Sequence, residues 1–185
     1  MKSSYIMRAQ RFIEEVYPYI ENKTRPYDCW RAIEQFNARK SRKVAVAHGV
    51  SRVAFITSDY VVKFDYDEYE VRRVGGCESE VNFYQFAKRE GFSYLFAEIT
   101  PFTYKGRTFY IMPRVYGIGR YESSYAEDMT TGEEESFLRR YLYDLHDENY
   151  GWYHGQIVIV DYACNVFQQG EENSTHSSED TNSSY

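Results

Sequence analysis

The sequence predicts an α+β fold in which two helices precede an antiparallel sheet. Apolar residues recur at helical spacing from Ile6 to Ile20 and again from Tyr27 to Phe36. After the basic run at 39–43, the periodicity changes to short β-rich segments separated by tight turns. The predicted order is two helices, then β-β-β-α-β-β, then a loop, a helix and a small β unit.

The first half of the chain supplies the helical pair and three strands. The second helix is predicted to begin near Pro26, since proline is favoured in the first turn of a helix. Strands are predicted over residues 44–48, 52–57 and 60–66, and the tight turns between them make an antiparallel meander. The apolar stripe of the second helix needs a hydrophobic partner and consists of Tyr27, Trp30, Ile33 and Phe36.

The middle of the chain predicts a helix followed by a hairpin. The helix spans residues 77–89 and is stopped by Gly91, because glycine readily adopts the left-handed conformation that ends helices. Residues 97–104 and 107–114 then form a hairpin across Lys105-Gly106. With the three preceding strands, this hairpin makes a five-stranded sheet. The predicted inner stripe of the helix is Val81, Tyr84 and Ala87.

The last third reads as a loop, a short helix, a small β unit and a tail. Residues 117–132 are rich in Gly, Ser, Thr and acids, whereas Thr131 and Glu134 have capping-box spacing at the start of an amphipathic helix. The chain from Gly170 has no Lys or Arg and a single aromatic residue, so it is predicted to be disordered. The expected regions are a helical extension at 1–43, a sheet lobe at 44–116, a small second lobe at 117–168 and an acidic tail at 169–185.

Composition excludes several classes of function. The net charge of −6 over 185 residues argues against nucleic-acid binding. The three cysteines, Cys29, Cys77 and Cys164, are scattered and indicate neither a disulfide framework nor a zinc site. Neither a signal peptide nor an apolar run long enough for a membrane span is present, so we expect a cytoplasmic protein that does not bind membranes. Tyrosine, with 20 copies, favours a protein-binding surface.

A set of polar residues stands at the ends or on the faces of these elements. Lys63 lies on the third strand and Glu80 on the helix that follows. Asp144 and Asn149 come directly after an amphipathic helix, and Asp161 ends the apolar run Ile157-Val158-Ile159-Val160. An unpaired charge beside such a run is costly, so Asp161 either caps the strand from a loop or faces a cation.

These residues, in this order, resemble the protein-kinase-like family. A strand-three lysine, a helix glutamate, an Asp-Leu-x-x-x-Asn loop and an apolar strand ending in aspartate are its marks. The resemblance is closest to small phage-encoded kinase-like proteins with a truncated C-terminal lobe. It implies ATP and Mg²⁺ as cofactors, with Asn149 and Asp161 as metal ligands and Glu80 holding Lys63 against the α/β-phosphates. It also implies three catalytic residues, which are Asp144, Lys63 and Asn149, with Asp144 accepting a hydrogen bond from the acceptor hydroxyl.

The resemblance further implies a nucleotide-binding wall. Its expected members are Gly49, Ser51, Val53, Val61, Lys63, Glu80 and Met112. The sequence departs from the family at the phosphate loop, which here has a single glycine instead of several. The backbone can then approach phosphates less freely, and Ser51 and Arg52 could compensate for this. It departs again at Asp161-Tyr162-Ala163, where the family has Asp-Phe-Gly. Little of the sequence follows Asp161, so we expect the two N-terminal helices to cover apolar surface that a full second lobe would otherwise bury.

Each residue also has a plainer interpretation. A lysine in an amphipathic strand is usually solvent-facing, and Asn149 before Tyr150-Gly151 is most often a turn residue. Glu78 is an alternative to Glu80. The order of the whole set on suitable elements nonetheless favours a shared site.

Two functions of different classes remain open. The first is a minimal Mg-ATP-dependent phosphotransferase acting on Ser/Thr of a protein. The second is a pseudokinase-like binding protein, such as a phage or mobile-element inhibitor, that occludes a host protein in the host cytoplasm. A small-molecule kinase is less favoured, because those enzymes also need a large C-terminal helical lobe. The expected partner is a protein substrate or target, and a homo-oligomer is left open.

Overall fold

The computed structural model describes residues 3–23, 25–49, 51–66, 76–117, 132–143 and 145–166. It contains helices and antiparallel sheets, so the α+β prediction is confirmed at this level. The helices are α1 (Ser3–Ile20), α2 (Pro26–Lys40), α3 (Cys77–Arg89) and α4 (Gly132–Tyr141). The strands are β1 (Ala45–His48), β2 (Arg52–Ile56), β3 (Tyr60–Asp65), β4 (Thr100–Tyr104), β5 (Arg107–Pro113), β6 (Tyr116–Gly117), β7 (Tyr150–Tyr153) and β8 (Gln156–Ile159).

Five strands form the main sheet, in the order β1-β2-β3-β5-β4, with every pair antiparallel. The predicted five-stranded antiparallel sheet is therefore confirmed. Its β4 begins at Thr100 rather than at Ala97, because the Ala97 N–H donates to the carbonyl of Ile159 at 2.9 Å. The segment before β4 thus joins the second part of the molecule to the sheet.

The helical pair packs on one face of this sheet. Side chains alternate across β3, so Val62 and Phe64 enter the core beneath the helices. Phe12 of α1 lies edge-on to Phe36 of α2 at 5.6 Å and to Phe55 of β2 at 6.2 Å, measured between ring centroids. The helical extension and the sheet therefore share one hydrophobic core. The surface that the helices cover is the outer face of the sheet, not a surface of the second lobe.

The stripe predicted for α2 is partly wrong. Ile33 and Phe36 are buried, but Trp30 is 44% exposed and stacks on the exposed Tyr27 at 6.1 Å. The buried stripe is Cys29, Ala32, Ile33 and Phe36. It follows the i, i+3, i+4, i+7 spacing of an amphipathic helix, whereas a strict spacing of three drifts around the helix surface.

A second hydrophobic core lies on the other side of the sheet. It is built from α3, α4 and the three-stranded sheet β6-β7-β8. Phe83 at its centre lies 5.3 Å from the ring of Phe96 and 6.0 Å from that of Tyr162. Tyr84 and Ala87 of the predicted α3 stripe are buried, but Val81 is only half-buried and Phe83 takes the inner position.

Several predicted features lie outside the described residues. They are residues 118–131 of the loop predicted at 117–132 and the whole of the tail predicted at 169–185. None of the helices in the described ranges combines the length and the apolar character that a membrane crossing requires.

Candidate functional site

A cleft of about 390 Å³ lies between the main sheet and the segments that carry Asn149 and Asp161. Its volume is within the range typical of small-molecule sites. The apolar wall comes from Ala47, Ala54, Ile56, Val61 and Met112. The polar part includes Lys63, Arg114, His146, Glu148, Asn149 and Asp161.

Lys63 and Glu80 form a buried ion pair beside this cleft. The Lys63 Nζ donates to both carboxylate oxygens of Glu80, at 3.0 and 3.2 Å. The Asp65 carboxylate accepts the backbone N–H of Cys77 at 3.1 Å, which fixes the start of α3 to the end of β3. Glu80 is 0% exposed and Glu78 is exposed, so the structure selects Glu80 as the partner of the lysine.

The end of β8 is tied to the same lysine. The carbonyl of Val160 accepts a hydrogen bond from the Lys63 Nζ at 3.0 Å. The Val160 N–H donates to the carbonyl of Asn149 at 2.8 Å. Asn149 and Asp161 are therefore held at one end of the cleft by the backbone on either side of Val160.

Arg52 completes the polar cluster. Its Nη1 donates to Glu80 Oε1 and to Asp161 Oδ1, each at 3.0 Å, and its Nη2 donates to Asp161 Oδ2 at 3.1 Å. The sequence suggested for Arg52 only a supporting contact to phosphate. The alternation of side chains along β2 could have placed Arg52 in the cluster. Arg52, Ala54 and Ile56 share one face of β2, and Ala54 is paired with Lys63, so Arg52 lies on the same face as the lysine.

The protonation states follow from these contacts. Burial lowers the pKa of Lys63, but the carboxylates of Glu80 and Asp161 raise it more, and the net pKa is raised. Burial raises the pKa of Asp161, while Lys63 and Arg52 lower it further than burial raises it. Arg52 behaves as Lys63 does, with its pKa raised by Glu80 and Asp161 against the effect of burial. Burial raises the pKa of Glu80 by more than Lys63 and Arg52 lower it, so the net pKa of Glu80 is raised. With Glu80 ionised, the cluster of two cations and two carboxylates is charge-balanced.

A magnesium ion does not fit this arrangement of side chains. Both Asp161 oxygens already accept hydrogen bonds from the Arg52 guanidinium. Asn149 and Asp161 line one cleft, as the expected metal role requires. The cation that faces Asp161, however, is an arginine.

The other predicted site residues are divided between positions. Val61 and Met112 line the cleft, but Val53 points into the core on the opposite face of the sheet. The expectation for Val53 is therefore off by one residue, because alternation places Ala54 on the cleft side. Gly49 and Ser51 lie in the β1–β2 turn beside the cleft rather than in its lining, and Asp144 lies outside the described residues.

A larger cavity of about 500 Å³ lies elsewhere, between α1, the α2–β1 connection and the β2–β3 turn. Its lining includes Arg8, Arg11, Arg42 and Lys43. Arg8 is paired with Asp59 at 3.0 Å and Arg42 with Glu15 at 3.0 Å. This cavity lacks the combination of lysine, amide and carboxylate found in the smaller cleft, which is the better candidate site.

The comparisons with known proteins give weak structural likenesses. No protein-family model matches the sequence, and no curated protein matches it. The Legionella pneumophila Lpg2603 kinase bound to IP6 superposes with a TM-score of 0.41 at 13% identity, over 66% of this chain and 47% of that one. WbdD, solved with the kinase inhibitor LY294002, gives 0.33 at 16% identity, over 68% and 33%. The chain thus matches about half of the first protein and a third of the second, and the functional argument rests on the cleft itself.

Proposed function

We propose that this protein is a kinase-like nucleotide-binding protein whose ligand is ATP. The observation that carries the proposal is the buried ion pair between Lys63 and Glu80, at 3.0 Å, beside a cleft lined by Asn149 and Asp161. A lysine on the third strand held by a helix glutamate is the arrangement that positions a cation for nucleotide phosphates.

The rest of the cleft is suited to the two ends of a nucleotide. Ala54, Val61 and Met112 form an apolar wall for a planar base. Lys63 and Arg52 supply positive charge at the polar end, where phosphates would lie. The apolar wall and Lys63 line the same cavity, and Arg52 contacts Asp161 at its edge, so a single ligand could contact both sets.

A finer proposal is transfer of phosphate to Ser/Thr of a protein. Asp144 would orient the acceptor hydroxyl in that reaction, as the family resemblance implies. Lys63 and Arg52 would neutralise charge on the transferring group, and the closed environment of the buried pair would strengthen those interactions. Arg52 competes with the magnesium role expected for Asn149 and Asp161, because it already pairs with Asp161, so no step is assigned to a metal.

Occlusion of a target protein is the second candidate function. Tyr27 and Trp30 favour it, because this stacked aromatic pair is exposed on α2, away from the cleft. Exposed tyrosine and tryptophan are frequent anchors at protein interfaces. Loop tyrosines with acidic neighbours could serve the same purpose, namely those at 66, 69, 121 and 125. Tyr66 donates to the carbonyl of Gly49 at 3.0 Å, and the other three lie outside the described residues.

Calorimetry with ATP, followed by a transfer assay with γ-labelled ATP and a generic Ser/Thr protein substrate, tests the proposal. Nucleotide binding by the wild type and at least a tenfold loss in Lys63→Ala are expected, since the substitution removes positive charge from the end of the cleft where phosphates would lie. Label transfer that disappears in Asp144→Asn would support the finer proposal. Binding without transfer would favour the second candidate, and absence of binding would contradict nucleotide binding altogether.

A further inference from the structure

The Arg52 guanidinium lies where a cation is needed beside Asp161. We propose that Arg52 binds the nucleotide phosphates and replaces the divalent metal in this cleft, so that nucleotide binds without Mg²⁺. This inference rests on the proposed nucleotide binding and specifies its chemistry. The ligand class is a nucleoside di- or triphosphate that carries no bound divalent cation.

The first step concerns exclusion of the metal. Asp161 is held by two parallel hydrogen bonds at 3.0 and 3.1 Å, the bidentate geometry that makes arginine–carboxylate pairs strong. A metal ion at Asp161 would have to compete with both bonds for the same carboxylate and lie beside a guanidinium of like charge. The Arg52 Nη1 also donates to Glu80 Oε1 at 3.0 Å, so Glu80 anchors Arg52 from the other side.

The second step concerns which cation can reach a phosphate. An ammonium group has three N–H donors. Those of Lys63 are matched by the two Glu80 oxygens and the Val160 carbonyl. A guanidinium has five donors, and the contacts of Arg52 with Glu80 and Asp161 use three of them. Within the described part of the chain, Arg52 is therefore the cluster cation with N–H groups left for a ligand.

The third step concerns position. Arg52 opens β2 directly after the β1–β2 turn, and its side chain lies on the same face as Ala54 of the apolar wall. A nucleotide whose base rests on that wall would extend its phosphates toward the turn and the guanidinium. A planar fork with free N–H groups suits phosphate oxygens, and its charge takes over the neutralisation that a metal ion otherwise provides.

Binding of a fluorescent ATP analogue in EDTA and in Mg²⁺ tests the inference, with wild type, Arg52→Gln, Arg52→Lys and the control Arg139→Gln. Arg139 forms an exposed ion pair with Glu135 on α4, so the control makes the same exchange outside the cleft. We expect the wild type and Arg139→Gln to bind about equally in both buffers. Arg52→Gln should bind roughly tenfold more weakly in EDTA, with partial recovery in Mg²⁺ because Asp161 is released to hold a metal.

Arg52→Lys keeps the charge but loses the fork, so its affinity in EDTA should lie between those of the wild type and Arg52→Gln. It also carries the test if thermal melting shows that Arg52→Gln does not fold. Wild-type binding that requires Mg²⁺ and is unaffected by Arg52→Gln would overturn this inference while leaving nucleotide binding intact. No binding in either buffer would overturn both.

Discussion

At the scale of single residues, four charged side chains define the candidate site. Glu80 is fully buried and contacts two cations, whereas Asp161 is 43% exposed at the mouth of the cleft. Burying a carboxylate is costly unless cations and hydrogen bonds compensate for the lost water. The integrity of this part of the molecule therefore depends on Lys63 and Arg52 together.

Lys63→Met should lower the free energy of unfolding by about 3 kcal/mol. It removes one of the two cations that pair with the buried Glu80 among the described residues and leaves Arg52. Denaturant titration measures the change. Lys88→Met, an exposed lysine in the last turn of α3, is the matched control and should change stability by less than about 0.5 kcal/mol. Equal effects of the two substitutions would show that the ion pair does not carry this stability.

Asp161→Asn should make stability less dependent on acid. The folded-state pKa of Asp161 is lower than usual, so its stabilising contribution is complete above the ordinary value of about 3.9 and is lost as the pH falls through the folded value. The side chain is substantially exposed, so the contribution should be about 1 kcal/mol or less. Unfolding curves of wild type and variant should differ at pH 6 and converge toward pH 3. A difference that grows in acid would contradict the assignment.

At the scale of elements, the small sheet depends on one close approach. Gly151 of β7 is paired with Gly117 of β6, and a Cβ at Gly151 would collide with Val115 Cγ1 and lie 2.8 Å from the carbonyl oxygen of Tyr116. A side chain at 151 would therefore push β6 away from β7, next to the segment that carries Asn149.

Gly151→Ala should destabilise the protein by about 2 kcal/mol, the typical cost of overpacking a site that cannot expand. Its register partner supplies the control. A Cβ at Gly117 would meet no atom within 4 Å, so Gly117→Ala should be nearly neutral. Thermal melting compares them, and similar losses for both variants would mean that the close approach is not what requires glycine at 151.

The sequence predicted elements better than it predicted the directions of side chains. The strands of the main sheet were found from alternation and turns, and α3 was placed over the same residues that the structure assigns to it. Trp30 and Val53 were misplaced, because burial on a helix or strand depends on which face meets another element. The role of Arg52 required knowing that β2 brings it to Asp161, a contact between residues 109 positions apart.

At the scale of the whole molecule, the main sheet separates two hydrophobic cores. One lies under α1 and α2, and the other contains α3, α4 and the small sheet. The helical pair therefore supports the cleft from behind, since Val62 and Phe64 of β3 hold the strand whose other face presents Lys63. Loss of the helices would expose this apolar face.

Phe12→Ala should destabilise the protein by about 4 kcal/mol, because it opens a cavity between α1, α2 and the sheet. The comparison is Met7→Ala on the same helix, where the side chain is 60% exposed and little change is expected. Denaturant unfolding with both variants gives the measurement. A small effect of Phe12→Ala would indicate that the helices are an appendage and not part of the fold.

Nucleotide binding in the cleft is the central claim, and filling the cleft tests it most directly. Ala54 lines the cavity beside its cross-strand partner Lys63, so Ala54→Phe should block the base, while Ala38→Phe on the exposed side of α2 controls for the added ring. Calorimetry should show ATP binding to the wild type and to Ala38→Phe, and a loss of at least about tenfold in Ala54→Phe with its melting temperature preserved. Equal binding by a folded Ala54→Phe, or no binding by the wild type, would contradict the account.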